Sequence, residues 1–215
     1  MSLRTAVSIV ALLAVPVPLF AQSQTSLRGR HRIELGIGFL GGISAGHNVT
    51  AGNVSTRSET NGVLGSIGYA YWVEERVALA VSASVLDADA SVSVAGGESR
   101  IESATVTSLL FGLRYQPFSI GETETVRPYF NLAVGPYFGS TASVRGGMVN
   151  VTESMMETAL GSRIGAGLDV LLGRRFNLGI GAGYHFVADF AERIGSEENY
   201  SGPELSMSFG LTLGG

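Results

Sequence analysis

A strict alternation of large apolar and small residues near the end of the chain most constrains its fold. Between positions 176 and 186, Phe, Leu, Ile, Ala, Tyr and Phe alternate with Asn, three Gly and His. A β-strand places successive side chains on opposite faces, so this segment would have one apolar face and one face of small, almost uncharged residues. Such a small, uncharged face is unusual for a surface that meets water. The pattern is typical of a strand whose apolar face contacts lipid and whose other face lines a narrow lumen.

The same alternation recurs along the chain and predicts eight strands. Their predicted bounds are 32–40, 63–73, 77–85, 103–116, 127–138, 158–172, 176–186 and 204–213. The connections alternate in length: long polar loops are predicted at 41–62, 87–100, 140–157 and 189–203, and shorter turns lie between them. Short turns at one end and long loops at the other are typical of outer-membrane barrels. The predicted fold class is therefore all-β, an eight-stranded antiparallel up-and-down transmembrane β-barrel.

A soluble eight-stranded barrel is the alternative that has to be weighed. Such a barrel needs an apolar filling and a charged exterior. Charged residues make up 15% of this chain, against about 25% in an ordinary soluble domain. The face opposite the apolar one is mostly Gly, Ala and Ser, which suits the interior of an eight-stranded barrel, because that interior is only just wide enough for side chains. We therefore expect the apolar face to point outward.

The first 21 residues read as a signal peptide, followed by one barrel domain over 22–215. Arg4 provides the positive charge, residues 6–15 form a short apolar core, and Ala21 offers a small residue before the cleavage site. The apolar run is too short to span a bilayer as a helix. The chain has no cysteine, hence no disulfide framework. The expected location is the outer membrane of a Gram-negative bacterium, reached by export through the periplasm.

Large polar residues on the inward face of the predicted strands form the candidate site. They are Glu34, Arg114, Asn131, Arg163, Asp169, His185 and Glu204. An Arg that faced lipid at mid-bilayer would cost about 2–4 kcal/mol, and an acidic partner inside the lumen would offset the desolvation of the charge. We expect these residues to form interior ion pairs, with Glu34, Arg114 and Asp169 nearer the short-turn end. No catalytic, cofactor-binding or metal-ligating residues are assigned.

Aromatic residues near the strand ends suggest girdles at the membrane–water boundary, where Tyr and Trp are favoured. The candidates are Tyr69, Tyr71, Trp72, Tyr115, Phe118, Phe130, Phe138, Phe176, Tyr184, Phe186 and Phe209.

Three segments carry a resemblance to a known superfamily: residues 127–135, 165–169 and 205–210. In these segments the chain resembles the OmpA-like, OmpW-like and Opa-like eight-stranded outer-membrane barrels, and the similarity covers roughly residues 32–213. The resemblance implies the barrel architecture and assembly by the outer-membrane insertion machinery. Such barrels usually end in an aromatic residue, whereas this chain ends Leu213-Gly214-Gly215. Phe209 or Leu213 would then have to provide the assembly signal, unless that signal is atypical.

Two motifs that suggest catalysis or cofactor binding are outweighed. Residues 36–41 match the dinucleotide-binding pattern GxGxxG, but they lie inside a predicted strand with no helix after it. His185 with Glu204 and with Ser206 or Ser208 could form a nucleophile–base–acid set in a lipid-modifying hydrolase. The chain lacks the His-x-Ser-Asn run that marks lipid A deacylases.

The sequence favours a non-enzymatic scaffold with polar outer loops as its contact surface. A narrow passive channel for ions or small solutes is the first alternative, and a lipid-modifying outer-membrane enzyme is the second. The expected partners are outer-membrane lipids and lipopolysaccharide, and the insertion machinery during assembly. The formal net charge of −4 argues against nucleic acid as a partner, and no cofactor is expected.

Overall fold

The computed structural model describes residues 26–44, 49–51, 54–56, 59–95, 98–120, 125–146, 151–195 and 197–214. The strands are β1 (His31–Ser44), β2 (Val49–Ala51), β3 (Val54–Thr56), β4 (Glu59–Trp72), β5 (Val77–Ala95), β6 (Glu98–Tyr115), β7 (Val126–Gly146), β8 (Val151–Leu172), β9 (Phe176–Val187) and β10 (Gly202–Leu213). No helix within these described ranges is long and apolar enough to cross a membrane. The signal peptide predicted at 1–21 lies outside the described residues.

Eight of the strands close into one antiparallel barrel, as the alternation predicts. The order around the barrel is β1-β10-β9-β8-β7-β6-β5-β4, and β4 pairs with β1 to complete the ring. Among the described residues, the short β2 and β3 pair only with each other. The turn between β8 and β9 needs a residue with positive φ, and Gly173 supplies it at 80°. The predicted fold class is confirmed.

The apolar face of the barrel points outward, which confirms the predicted orientation of the sheet. Leu160 and Leu205 are 72% and 67% exposed, and the alternating residues of β9 are exposed and buried in turn. A soluble protein rarely leaves so continuous an apolar surface uncovered. The belt of exposed large apolar side chains encircles the barrel, as expected for strands in lipid.

The loops predicted at 87–100 and 140–157 are wrong, because most of these residues continue the strands. The loop predicted at 41–62 is wrong as well, because its described residues lie in β1, β2, β3 and β4. β5, β6, β7 and β8 contain 19, 18, 21 and 22 residues, whereas about 9–11 residues suffice to cross the membrane. The small and polar residues of these segments hid their strand character, since the outward apolar pattern stops where lipid ends. Of the predicted long loops, 189–203 keeps mostly irregular backbone within its described residues.

Above the barrel rim, β5 to β8 continue as an open four-stranded sheet, here called the projecting sheet. β4 leaves β5 after the pair Val63 and Asp87, and β9 leaves β8 after Val187 and Gly161. The ladders between β5, β6, β7 and β8 continue to the hairpin ends. About eight further residues per strand, tilted at 35–45°, raise this sheet roughly 20 Å above the rim.

Trp72 is a correction to the predicted aromatic girdle. Its side chain is 1% exposed and packs with Ala70 and Ala78 in the lumen at the short-turn end of the barrel, here called the inner end. Trp72 has the inward parity of β4, since it lies two residues after the buried Ala70, and its position at a strand end masked that parity. Other candidates face outward, among them Tyr71 and Tyr115.

Candidate functional site

A buried carboxylate organises the inner end of the lumen. Asp169 on β8 is 0% exposed and accepts hydrogen bonds from three side chains. Arg32 donates from Nη1 and Nη2 over 2.7 and 2.9 Å, Arg114 donates from Nη2 over 2.8 and 2.9 Å, and Gln116 donates from Nε2 over 2.8 Å. Both guanidiniums are therefore tied to one acid from different strands of the barrel.

Glu34 adds a second acid to this cluster. It lies 2.5 Å from Arg32 and 3.1 Å from Arg114, and its side chain is 19% exposed. The Arg114 guanidinium carbon also lies 3.7 Å from the centre of the Tyr129 ring, a cation–π distance. We call Arg32, Glu34, Arg114, Gln116 and Asp169 the floor network. Two cations and two anions balance its charge, and the network fills the lumen near the short turns.

A second cluster lies closer to the outer end. Arg163 binds Glu204 through Nε at 2.6 Å and Nη2 at 2.9 Å. His185 Nε2 lies 2.7 Å from Glu204 and its Nδ1 lies 2.8 Å from the Tyr137 hydroxyl. A carboxylate only accepts, so His185 Nε2 donates its proton to Glu204. The result is a chain from Tyr137 through His185 and Glu204 to Arg163.

Between the two clusters lies a polar chamber of about 90 Å³. Five serines contribute to its wall, namely Ser66, Ser82, Ser84, Ser206 and Ser208. Two buried atoms of its lining, Arg114 Nε and Asn131 Oδ1, have no hydrogen-bond partner among the described residues. A polar space of this size has room for several water molecules. Neither atom has accessible surface of its own, so the open polar groups of the chamber are the serine hydroxyls of its wall.

Apolar side chains from the strands form a ring above the chamber, which we call the collar. Its members are Leu40, Leu64, Leu86, Val106, Leu110 and Tyr137, each at most 5% exposed. Residues 188–195 and 197–201, here called the capping loop, fold over the mouth and insert three side chains into this ring. They are Phe190, Ile194 and Tyr200, and Ile194 is 0% exposed. The outer half of the lumen is therefore apolar, whereas the sequence favoured a small and polar lining throughout.

The structure places six of the seven candidate residues in these two clusters. Glu34, Arg114 and Asp169 lie in the floor network, and Arg163, His185 and Glu204 lie in the outer cluster. Asn131 lines the chamber between them, and its Oδ1 bonds neither cluster.

Sequence reasoning missed several members of the clusters. They are Arg32, Gln116, Tyr129 and Tyr137. Arg32 has the parity of Glu34, and Gln116 has that of Arg114. Tyr129 and Tyr137 have the parity of Asn131. The alternation that located the other residues could therefore have found all four.

The nucleophile set considered for a hydrolase does not form. Both ring nitrogens of His185 are engaged, one by Glu204 and the other by Tyr137. Ser206 and Ser208 line the chamber, and neither bonds His185 in the described part of the chain. Within the same residues, no group of three acidic or histidine side chains is placed to hold a metal ion.

Comparison with solved structures places this fold among the eight-stranded outer-membrane barrels. The attachment invasion locus protein Ail of Yersinia pestis matches at 16% identity and a TM-score of 0.52, over 86% of this chain and 99% of that chain. Neisserial surface protein A matches at 12% identity and a TM-score of 0.55, over 85% and 96%. Ail in complex with the heparin analogue sucrose octasulfate matches at 14% identity and a TM-score of 0.51, over 86% and 99%.

Neither the protein-family models nor the curated proteins include a match to this chain. The fold and the outward apolar belt together define the class: a closed, eight-stranded transmembrane β-barrel of the outer-membrane type.

Proposed function

We propose that this protein is a non-enzymatic, non-conducting barrel of the Gram-negative outer membrane that holds a projecting sheet above the membrane as an interaction surface. Outer-membrane lipids and lipopolysaccharide contact its apolar belt, and the insertion machinery assembles it. The observation that carries the proposal is the closure of the lumen at both ends. A channel needs a continuous polar path, and here two unlike barriers stand in series.

The inner barrier is ionic and the outer barrier is apolar. Solvent that entered from the periplasm would meet the floor network, in which Asp169 is completely buried. An ion that entered from outside would meet Ile194 and the collar, and it would lose its hydration there without gaining a polar partner. The chamber therefore lies between an ionic barrier and an apolar one, which supports a scaffold over a passive channel.

The projecting sheet supports a role in contact with other molecules because one of its edges is open. Ala188 N donates to Leu160 O at the rim over 2.9 Å. Alternate residues of an antiparallel strand direct their N–H and C=O groups to opposite sides, so the even-numbered residues of β8 direct theirs away from β7. Among the described residues, no strand pairs with this edge between 151 and 159. An open edge can accept an added strand. Met156 on this edge is 75% exposed, and methionine adapts to varied partners.

The charge of the projecting hairpins limits the chemistry of any partner. Residues 87–105 and 140–158 contain six acidic residues and two Arg. This charge disfavours polyanions, which are repelled by a surface of the same sign. Sucrose octasulfate, bound to Ail in one of the related structures, is such a polyanion, so we do not extend that ligand to this chain. Cationic or neutral surfaces are the better candidates.

Single-channel recording in a planar bilayer tests the proposal. The wild-type barrel should insert without discrete conductance steps, because either barrier alone closes the lumen. Arg114→Ser weakens the floor network and Ile194→Ser weakens the outer barrier, and each single variant should remain silent. The double variant should conduct, because both barriers are then weakened.

Protection of the barrel from protease in the same bilayers provides the control for insertion. Stable steps from the wild-type protein would overturn the proposal in favour of a channel. Conductance steps from either single variant would show that the remaining barrier does not close the lumen on its own, which would also contradict the proposal.

A further inference from the structure

The capping loop is held together largely by its own hydrogen bonds. Phe190 N donates to Glu198 O and Ile194 N donates to Glu197 O, each over 2.8 Å. Asn199 Nδ2 donates to Asp189 Oδ1 over 2.6 Å, and the Tyr200 hydroxyl donates to Ile194 O. These bonds would survive if the loop moved away from the barrel. The loop therefore has the internal organisation of a compact Ω-loop, which can move as one body.

The contacts between the loop and the barrel wall are of a different kind. At the base of the loop, Ala188 N donates to Leu160 O over 2.9 Å, and Asn199 and Ser201 bond Val187 at the end of β9. Farther out, Gly195 N donates to Thr141 Oγ1 over 2.8 Å, and Phe190, Ile194 and Tyr200 pack in the apolar collar. Ile194 fits because position 139 is glycine: a Cβ there would lie 2.5 Å from Ile194 Cγ1. Displacement of the loop would thus break mainly apolar contacts, and an apolar ligand could replace them.

The space under the loop is a blind cup with two chemical zones. The collar is apolar, and directly beneath it lies the polar chamber, with Ser84 and His185 bordering both the chamber and a small void next to Tyr200. The floor network closes the bottom. A molecule that replaced the three loop side chains would reach the chamber from outside and could not pass through the barrel.

The chemistry of the two zones specifies the occupant. The collar favours an aliphatic chain. In the chamber, Arg114 and Arg163 are already paired with acids, so a charged head group would find no unpaired counter-charge. The open polar groups are hydroxyls of the wall, among them those of the half-buried Ser66, Ser82 and Ser208, and each hydroxyl both donates and accepts. A head group that both donates and accepts, such as a hydroxyl or an amide, matches them.

We propose that the outer mouth is a binding site for a small uncharged amphiphile with a hydroxyl or amide head, and that the capping loop is a lid whose Ile194 occupies the site in its absence. Binding displaces the lid from Thr141 on β7 and so alters the base of the projecting sheet. The site goes beyond the scaffold function, and it does not require conductance, since the floor network stays closed.

A single introduced thiol tests the site, because the natural chain contains no cysteine. Ser206→Cys places that thiol in the chamber wall. The barrel, in lipid nanodiscs, is treated with a positively charged methanethiosulfonate, which does not cross lipid. Adding Ile194→Ser should raise the rate of modification at least about tenfold, because the lid loses its buried anchor. 1-Hexanol should then slow modification about fivefold or more, and hexanoate, which has the same chain length but a charged head, should not.

Two further variants separate the site from a damaged fold. Gly139→Ala crowds Ile194 from the wall without changing the loop, and it should also raise the rate of modification. Ser66→Ala together with Ser82→Ala on the Ile194→Ser background should abolish protection by 1-hexanol and leave the modification rate without alcohol high. Heat-modifiable electrophoretic mobility checks that each variant is folded. Equal rates with and without the lid changes would overturn the lid, and equal protection by 1-hexanol and hexanoate, or none by either, would overturn the amphiphile site.

Discussion

The two halves of the lumen are closed in opposite ways. At the inner end, five polar side chains from the wall and its ends form the floor network around Asp169. At the outer end, a loop that belongs to no strand inserts apolar side chains into an apolar collar. The inner closure is built from groups that would cost several kcal/mol if left unpaired. The outer closure is built from contacts that another apolar molecule could replace.

This difference separates a structural part of the barrel from an adaptable one. Loss of a partner in the floor network leaves a buried charge and should weaken the whole barrel. Loss of a contact in the capping loop should release the loop alone, since β9 and β10 remain paired below it.

Asp169→Ala should have the largest effect on stability. It removes the acid shared by Arg32, Arg114 and Gln116, and Glu34 alone then faces two guanidiniums. We expect the free energy of unfolding to fall by about 3–5 kcal/mol, as measured by urea titration of the barrel in detergent. A fall of less than about 1 kcal/mol would contradict the central role of Asp169 in the floor network.

Arg163→Ala should have a smaller effect of the same sign. Glu204 loses its bidentate partner but keeps the bond from His185 Nε2, so its charge is only partly uncompensated. A loss of roughly 2–3 kcal/mol is expected in the same titration. An unchanged midpoint would show that Arg163 does not stabilise Glu204.

Ile194→Ala should separate local from global stability. It removes a fully buried side chain, which costs about 2–5 kcal/mol in a protein core. Because the loop can open without unfolding the strands, the urea midpoint should change little, whereas amide hydrogen exchange at Gly195, whose N–H bonds Thr141 on the wall, should accelerate strongly. A global loss equal to that of Asp169→Ala would mean that the two halves are one cooperative unit.

Arg193→Ala should have the smallest effect and provides the matched control for the charge changes. Arg193 forms an ion pair with Glu198 at 2.9 Å, but both side chains are more than half exposed. Exposed pairs contribute about 0–1 kcal/mol, so its urea midpoint should match that of the wild-type protein. A loss as large as that of Arg163→Ala would mean that burial does not set the scale of these effects.

Period-2 alternation was sufficient to predict the inner half of the molecule. It located the eight strands, predicted that Leu35 faces outward, and placed Asp169 and Arg114 on the inward face. This succeeded because the side chains of a strand alternate every two residues, and lipid and lumen lie on opposite faces of the same strand. Two features lay beyond it. The alternation of apolar and small residues stops at the membrane boundary, so the strands that continue to Ala95 and Gly146 resembled loops. The position of Ile194 depends on how an irregular segment folds back, and Gly139, which makes room for it, resembles any other small lumen residue.

The orientation of the whole sheet requires that lipid-facing and lumen-facing residues alternate along every strand, and β9 offers the most direct measurement of this alternation. Spin labels at single cysteines along 176–187 in lipid report collisions with oxygen, which concentrates in the bilayer, and with a water-soluble nickel chelate. Oxygen collisions should be frequent at even positions such as Leu178 and Ile180 and rare at odd positions such as Asn177 and Gly179. Frequent oxygen collisions at the odd positions, or chelate collisions along the even face, would contradict the orientation of the sheet described here.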